Sequence, residues 1–234
     1  MTQQRGHATG TRSTLSRRQF IATVGGGVIL AAGAGIAGFS LTRTPHAALA
    51  PWVQAGQFEE PRRFALSYAI LAPNPHNLQP WMVDLSEPDV ITLLADPNRR
   101  LPETDPFDRQ LTIGLGCFLE LLRIAASVRG YAVDLTLFPE GSDQTLLGSR
   151  PVARVQFHKK STATDPLFGH ILSRRSTKEP FDMAQPVNDT DIATLSPVIE
   201  GVRFAGSRNP ARGKTLRELI WNAFKVEYQT PATL

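Results

Sequence analysis

The chain is 234 residues long, 41% hydrophobic and 20% charged, with a formal net charge of +4 and one cysteine. That length supports one large or two small domains with a real core, and the lone Cys117 excludes an internal disulfide. The positive charge belongs to one end of the chain: residues 1–50 hold Arg5, Arg12, Arg17, Arg18 and Arg43 and no acid, leaving 20 basic against 21 acidic residues from Pro51 onward. A near-neutral body gives no electrostatic case for nucleic acid as a partner. The histidines at 7, 46, 76, 158 and 170 are scattered, with no paired spacing that would hold zinc. Cys117 sits in GLGCFLELL and reads as a small core residue.

Ser16-Arg17-Arg18-Gln19-Phe20-Ile21 precedes an apolar stretch from Ile21 to Leu41. The paired arginines, the Phe two residues on, the acid-free start and a glycine-diluted apolar run together resemble a twin-arginine export signal. A helix over the same 21 residues would reach about 31 Å, close to the ~30 Å of a bilayer core, so the stretch also reads as a membrane anchor, and both readings can hold together. Ala48-Leu49-Ala50 fits a small-x-small cleavage preference, while Pro51 directly after it opposes cleavage. Removal and retention both stay open. The expected partner is the twin-arginine translocase, and the expected place is the periplasm or the outer face of the cytoplasmic membrane. That route carries folded proteins, so it favours a body loaded with its cofactor before export.

Past Pro51, the spacing of Phe64, Ala65, Tyr68, Ala69 and Leu71 predicts an amphipathic helix within 58–71. It ends at Ala72–Trp81, APNPHNLQPW, where Pro73, Pro75 and Pro80 remove three backbone donors and forbid helix or central strand. Trp81–Leu85 and Val90–Ala95 predict a strand hairpin. A loop rich in Pro, Arg and Asp leads to a long helix over 109–129, striped by Leu111, Leu115, Phe118, Leu119, Leu122 and Ala126. Gly114 and Gly116 are expected to let another backbone approach, and Gly130 to cap the end. Ala132–Phe138 and Ala153–Phe157 alternate as two more strands of a mostly antiparallel sheet. Asp165–Ser176 predicts a short helix with Asp at the N-cap and Leu167, Phe168, Ile171 and Leu172 on one face. A helix over 189–198, a strand over 202–205 and a helix over 210–228 complete the reading.

Two stretches can carry chemistry. In the proline loop, Asn77 and Gln79 each offer a carbonyl acceptor and an NH2 donor pair, suited to a heterocycle edge that alternates acceptor and donor, such as the pyrimidine edge of a flavin. A plain proline-rich turn entering a strand explains the same residues, and His76 faces either a ligand or its own loop. Arg174-Arg175-Ser176-Thr177-Lys178 gathers three cations and two hydroxyls, enough to hold a phosphate. A solvated helix end is the plainer account. Asp96, Asp105 and Asp108 with Arg99, Arg100 and Arg109 read as an ion-pair network anchoring a loop rather than a catalytic cluster.

Taken together, HNLQPW, ILSRRSTKEPF and the intervening LLADPNRRLPETDPFDRQLTIGLGCFLELLRIAASVRG resemble the nitroreductase family, and more closely its Acg-like branch. The resemblance covers roughly residues 58–228. It implies an α+β fold with an antiparallel sheet and packed helices, divided into a signal or anchor (1–50), a complete first nitroreductase-like half (51–160) and the start of an incomplete second half (161–234). It further implies C-terminal truncation before the family's last core elements, and a monomer mimicking a dimer at full length. The implied cofactor is FMN, held by Asn77 and Gln79 with Pro80 and Trp81 shaping the wall, and by Arg174, Arg175, Ser176 and Lys178 at phosphate or ribityl. The implied activity is oxidoreduction from NAD(P)H through flavin to an unidentified small-molecule acceptor, with no catalytic side chain and no metal. Its alternatives are a flavin-binding or flavin-sequestering protein without turnover, or an inactive fragment.

Overall fold

Glu60 caps the first helix that enters the core. Its carboxylate accepts hydrogen bonds from the backbone N–H of Arg62 (3.2 Å) and Arg63 (3.0 Å), while Pro61 supplies a first helical residue that needs no partner. In the computed structural model, which describes residues 38–39, 46–142, 145–160, 163–182, 184–194, 202 and 204–233, the chain divides into two compact units, 1–50 and 51–234. Of the first unit, only Gly38, Phe39 and the start of helix α1 (His46–Gln54) are described. The export-signal residues Arg17, Arg18 and Phe20 lie outside the described residues. Ala48-Leu49-Ala50 and Pro51, the candidate cleavage site, are helical.

In the second unit α2 (Pro61–Ala69) leads through the proline loop to strands β1 (Trp81–Asp84) and β2 (Val90–Ala95). Helix α3 (Arg109–Val128) follows, then β3 (Tyr131–Leu137) and β4 (Ala153–Lys159). The fold is α+β: a four-stranded sheet in the order β1-β2-β4-β3, every pair antiparallel. Ile91, Leu93, Ala95, Ala153, Val155 and Phe157 share its inner face and are all buried. They do so because alternate residues of a strand point the same way. Against them lies the stripe of α3, where Leu111, Leu115, Phe118 and Leu122 are completely shielded, and α2 adds Phe64, Ala65, Tyr68 and Ala69.

The start of α3 is built from the acids of the preceding loop. The Asp105 carboxylate accepts from the N–H groups of Arg109 (2.9 Å), Gln110 (2.9 Å) and Leu111 (3.0 Å), which the helix itself leaves unpaired. Asp108 is 1% exposed, accepts from Arg100 Nε at 2.9 Å and also receives the Leu147 N–H at 2.8 Å. The Asp–Arg cluster is therefore structural. At the far end Gly130 takes φ +73°, the left-handed cap its position predicts.

Several expectations are corrected. Residues 166–170 form a 3-10 turn rather than an α-helix; Asp165 caps it as expected, accepting from Leu167 N at 2.9 Å. With about three residues per turn the apolar side chains do not stay on one face, so Ile171 is buried while Leu167 and Leu172 are exposed. Gly114 is a close-approach position, but a side chain at Gly116 would meet nothing within 4 Å, because two residues along a helix turn to the opposite side. Cys117 is only half-buried. Val202, Phe204 and Ala205 are irregular rather than strand. Helix α4 (Asp189–Thr194) is short within the described residues, and α5 runs from Pro210 to Gln229.

Candidate functional site

The proline loop between α2 and β1 is held in an unusual backbone. Pro75–Asn77 makes a 3-10 turn, and His76, Asn77 and Gln79 all take positive φ, at 50°, 53° and 52°. A left-handed non-glycine residue costs about 1 kcal/mol or more, so neighbours must impose it. Asn74 is one of them: its Oδ1 accepts from Gln79 N at 2.8 Å and its Nδ2 donates to Ala72 O at 3.0 Å. Arg99 is the second, donating from Nη1 to the carbonyls of Leu78 (3.1 Å) and Gln79 (3.0 Å) while Asp96 holds its Nε at 3.1 Å. The third is α3 itself. A Cβ at Gly114 would stand 3.2 Å from Asn74 Cβ and 3.3 Å from Pro75 Cδ, so the absent side chain is what lets the loop lie on the helix.

The cationic segment arrives from the other side of the sequence. Asp165 accepts from Arg123 Nη2 at 2.8 Å and donates its N–H to Ser127 Oγ at 3.0 Å, which fixes the 166–170 turn to α3. Arg123 first, then the Leu167 N–H, holds the Asp165 carboxyl below the usual carboxylate range. Phe168 meets Tyr68 of α2 edge-on at 4.9 Å, and Ile171 enters the core. The chain then turns so that Arg174 Nη2 donates to Leu71 O at 3.1 Å, joining residues 103 apart at the end of α2.

Between these two walls lies a cavity of about 470 Å3. Asn74, His76, Asn77 and Gln79 line it from the loop, Arg174, Ser176 and Lys178 from the later segment, Ile70 to Pro73 from the end of α2, and Trp52 from α1. Five residues singled out in the sequence, Asn77, Gln79, Arg174, Ser176 and Lys178, thus meet around one space. Arg175 does not line it: its guanidinium lies 5.6 Å from the ring centre of Trp52 and donates to the carbonyls of Leu172 and Arg174, both at 2.7 Å. Pro80 and Trp81 also stand off the cavity, Pro80 completely buried and Trp81 packed 5.1 Å from Phe118. His76 and Asn77 are exposed at the mouth.

Among the described residues no carboxylate lines the cavity, so Arg174 and Lys178 give their lining a net positive charge. Of three buried polar side-chain atoms without a partner among the described residues, two belong to lining residues, Trp52 Nε1 and Arg174 Nε, and both are N–H donors. An acceptor-rich, anionic ligand is what such a space can hold. A neighbouring cleft of about 310 Å3, between Phe58, Leu66, Ile70 and Leu85, is apolar and receives none of these donors.

Sequence reasoning missed Trp52 and Asn74. Asn74 was signalled by the Asn-Pro pair, a turn-forming dipeptide whose amide bonds its own backbone. Trp52 carried no signal, because the separation that brings α1 to this cavity is tertiary.

No protein-family model matches the chain. Among curated proteins, an uncharacterized protein of Mycobacterium tuberculosis is 32% identical over 124 residues, 50% of this chain and 35% of that protein. A protein of the same organism named "Putative NAD(P)H nitroreductase acg" is 31% identical over 123 residues, 50% of this chain and 34% of its own length. Relatives of this chain carry nitroreductase names. Another so named is 28% identical over 137 residues, 57% of this chain and 38% of that protein. The alignments span about a third of the length of these relatives. A solved nitroreductase family protein from Clostridium difficile overlays with a TM-score of 0.35 at 17% identity, over 55% of this chain and 88% of that one, too loosely to carry an argument.

Proposed function

We propose that the cavity between the proline loop and the Arg174–Lys178 segment is an FMN site, and that the chain serves an FMN-dependent, NAD(P)H-linked oxidoreductase of the nitroreductase type. One observation carries the reading. Two amide-bearing and three phosphate-suited side chains, chosen from sequence on separate grounds, line the same space across a bond from Arg174 to Leu71. The fit is chemical: among the described residues the lining is cationic, holds no carboxylate, and is edged by N–H donors without a partner. Its volume of about 470 Å3 lies in the ~300–1,000 Å3 range of small-molecule sites.

When bound, flavin supplies two-electron chemistry, taking hydride from a reduced nicotinamide and giving the electrons to a second acceptor. The chain's own part is positioning. Asn77 and Gln79 present amides to a heterocycle edge, the strained loop fixes their direction, and Arg174, Ser176 and Lys178 neutralise and orient a phosphate. None of these roles needs a side chain to donate or remove a proton. Residues 1–50 are read as a twin-arginine signal or anchor that takes the loaded body to the outer face of the membrane or beyond it, with 51–160 as a first nitroreductase-like half and 161–234 as part of a second.

The purified full chain should take up FMN, with flavin absorbance bands and saturable quenching of flavin fluorescence. Asn77→Ala should bind about tenfold more weakly, the loss of one or two hydrogen bonds. A wild-type chain that leaves FMN fluorescence unchanged refutes the site. Flavin binding without NAD(P)H oxidation would leave the site and remove the activity. Replacing both Arg17 and Arg18 by Lys should retain the body in the cytoplasm; undiminished export would exclude the signal.

A further inference from the structure

We infer that Trp52 is a ligand-binding residue of this cavity, its indole N–H closing with the Arg174 guanidinium on one anionic, phosphate-class group. The inference deepens the flavin-site reading and rests on it for which molecule brings the anion. Trp52 stands on α1, upstream of both stretches assigned above, and lines the cavity with Asn74, Asn77, Arg174 and Lys178. Its Nε1 is buried and unpartnered, and so is Arg174 Nε. Leaving a buried donor unpaired is unfavourable, and native proteins keep few of them. Here two of the three orphaned atoms among the described residues border one space.

Both orphans are donors, so only an acceptor completes them. The charges select which acceptor. Lys178 lines the same space, Arg175 lies over the Trp52 ring at 5.6 Å, and no carboxylate among the described residues lines the cavity. A neutral carbonyl would satisfy the indole but leave the cations uncompensated. An anion with several oxygens serves both, because each oxygen can accept from a different donor. The ring of Trp52 meanwhile has a role that does not need its N–H, as the face on which Arg175 rests. The two roles are separable: Trp52→Phe keeps a ring under Arg175 and deletes the donor.

Indole N–H resonances of the 15N-labelled full chain test this directly. The protein has three tryptophans, and Trp52→Phe, Trp81→Phe and Trp221→Phe assign their signals. Titration with inorganic phosphate, and separately with FMN, should shift the Trp52 indole signal and the Arg174 Nε–H signal along one saturation curve while Trp81 and Trp221 stay still. Trp52→Phe should weaken binding of either probe about tenfold. If Trp52→Phe fails to fold, the Trp52 signal, assigned by elimination from the other two variants, still gives the answer. A response to phosphate in a chain that binds no FMN upholds the anion subsite and sinks the flavin reading. Tight FMN binding with an unmoved Trp52 signal does the reverse. A Trp52 signal indifferent to both probes overturns the inference outright.

Discussion

Asn74 holds the loop from within, and its removal should be visible before any ligand is added. Asn74→Ala leaves the Gln79 N–H without its acceptor and the Ala72 carbonyl without its donor. The expected loss is about 1–2 kcal/mol of stability, with faster hydrogen exchange at Gln79 as the local readout. Gly114 makes a complementary case. Gly114→Ala gains about 1 kcal/mol of helix propensity but drives a methyl to 3.2 Å from Asn74 Cβ. Stability should therefore stay near wild type in urea unfolding while FMN affinity falls. Asp108→Ala carries the largest effect: it strands the Arg100 Nε and the Leu147 N–H, and breaking such a buried pair costs about 3–5 kcal/mol, measurable as a lowered urea midpoint. At this scale the sequence reveals residue types suited to a ligand, amides at Asn77 and Gln79 and cations at Arg174 and Lys178, without revealing that they line one space. It does not reveal the positive φ at His76, Asn77 and Gln79. Arg99 and Asn74 hold that backbone, and Arg99 does so from twenty and more positions away.

Helices and strands were largely legible because each carries its own period. The stripe of α3 and the spans of β3 and β4 survive translation into structure within a residue or two at each end, but only β4 alternates in burial: β3 lies at the sheet edge with Leu135 and Leu137 exposed. The 3-10 turn after Asp165 was not, because Asp-Pro announces where a helical segment starts and says nothing about how far it runs. That turn nevertheless governs where Arg174 points, and it should respond to acid. Asp165 is held below the usual carboxylate range by Arg123 and the Leu167 N–H. Glu60 behaves alike: burial pushes it up, but the Arg62 side chain and the N–H groups of Arg63 and Arg62 pull it further down. A carboxylate with a lowered folded pKa contributes fully above its ordinary value and loses that contribution as pH falls through the lower one. Asp165→Asn keeps a capping oxygen for the Leu167 N–H but loses the charged partner of Arg123, so it should cost about 1 kcal/mol at pH 7, and the deficit against wild type should shrink as pH falls below about 4, where the carboxyl takes up its proton. Urea unfolding at pH 7 and pH 3 measures both.

Across the second unit, the core of α2, α3 and sheet contrasts with α5, where Leu219, Ile220, Trp221, Phe224, Val226 and Tyr228 are each at least half exposed. Apolar surface on this scale drives association. The full chain should show concentration-dependent light scattering, and Ile220→Lys with Phe224→Lys should abolish it without changing the melting of the body. The bond from Arg174 to Leu71 has a consequence in time. It closes a loop of 103 residues, and such closures are entropically unfavourable until the intervening contacts are made. The hairpin, α3 and β4 must all stand before the two walls can face each other. A chain emerging from the ribosome therefore offers a ligand nothing to hold, and loading becomes the last event of folding rather than its seed.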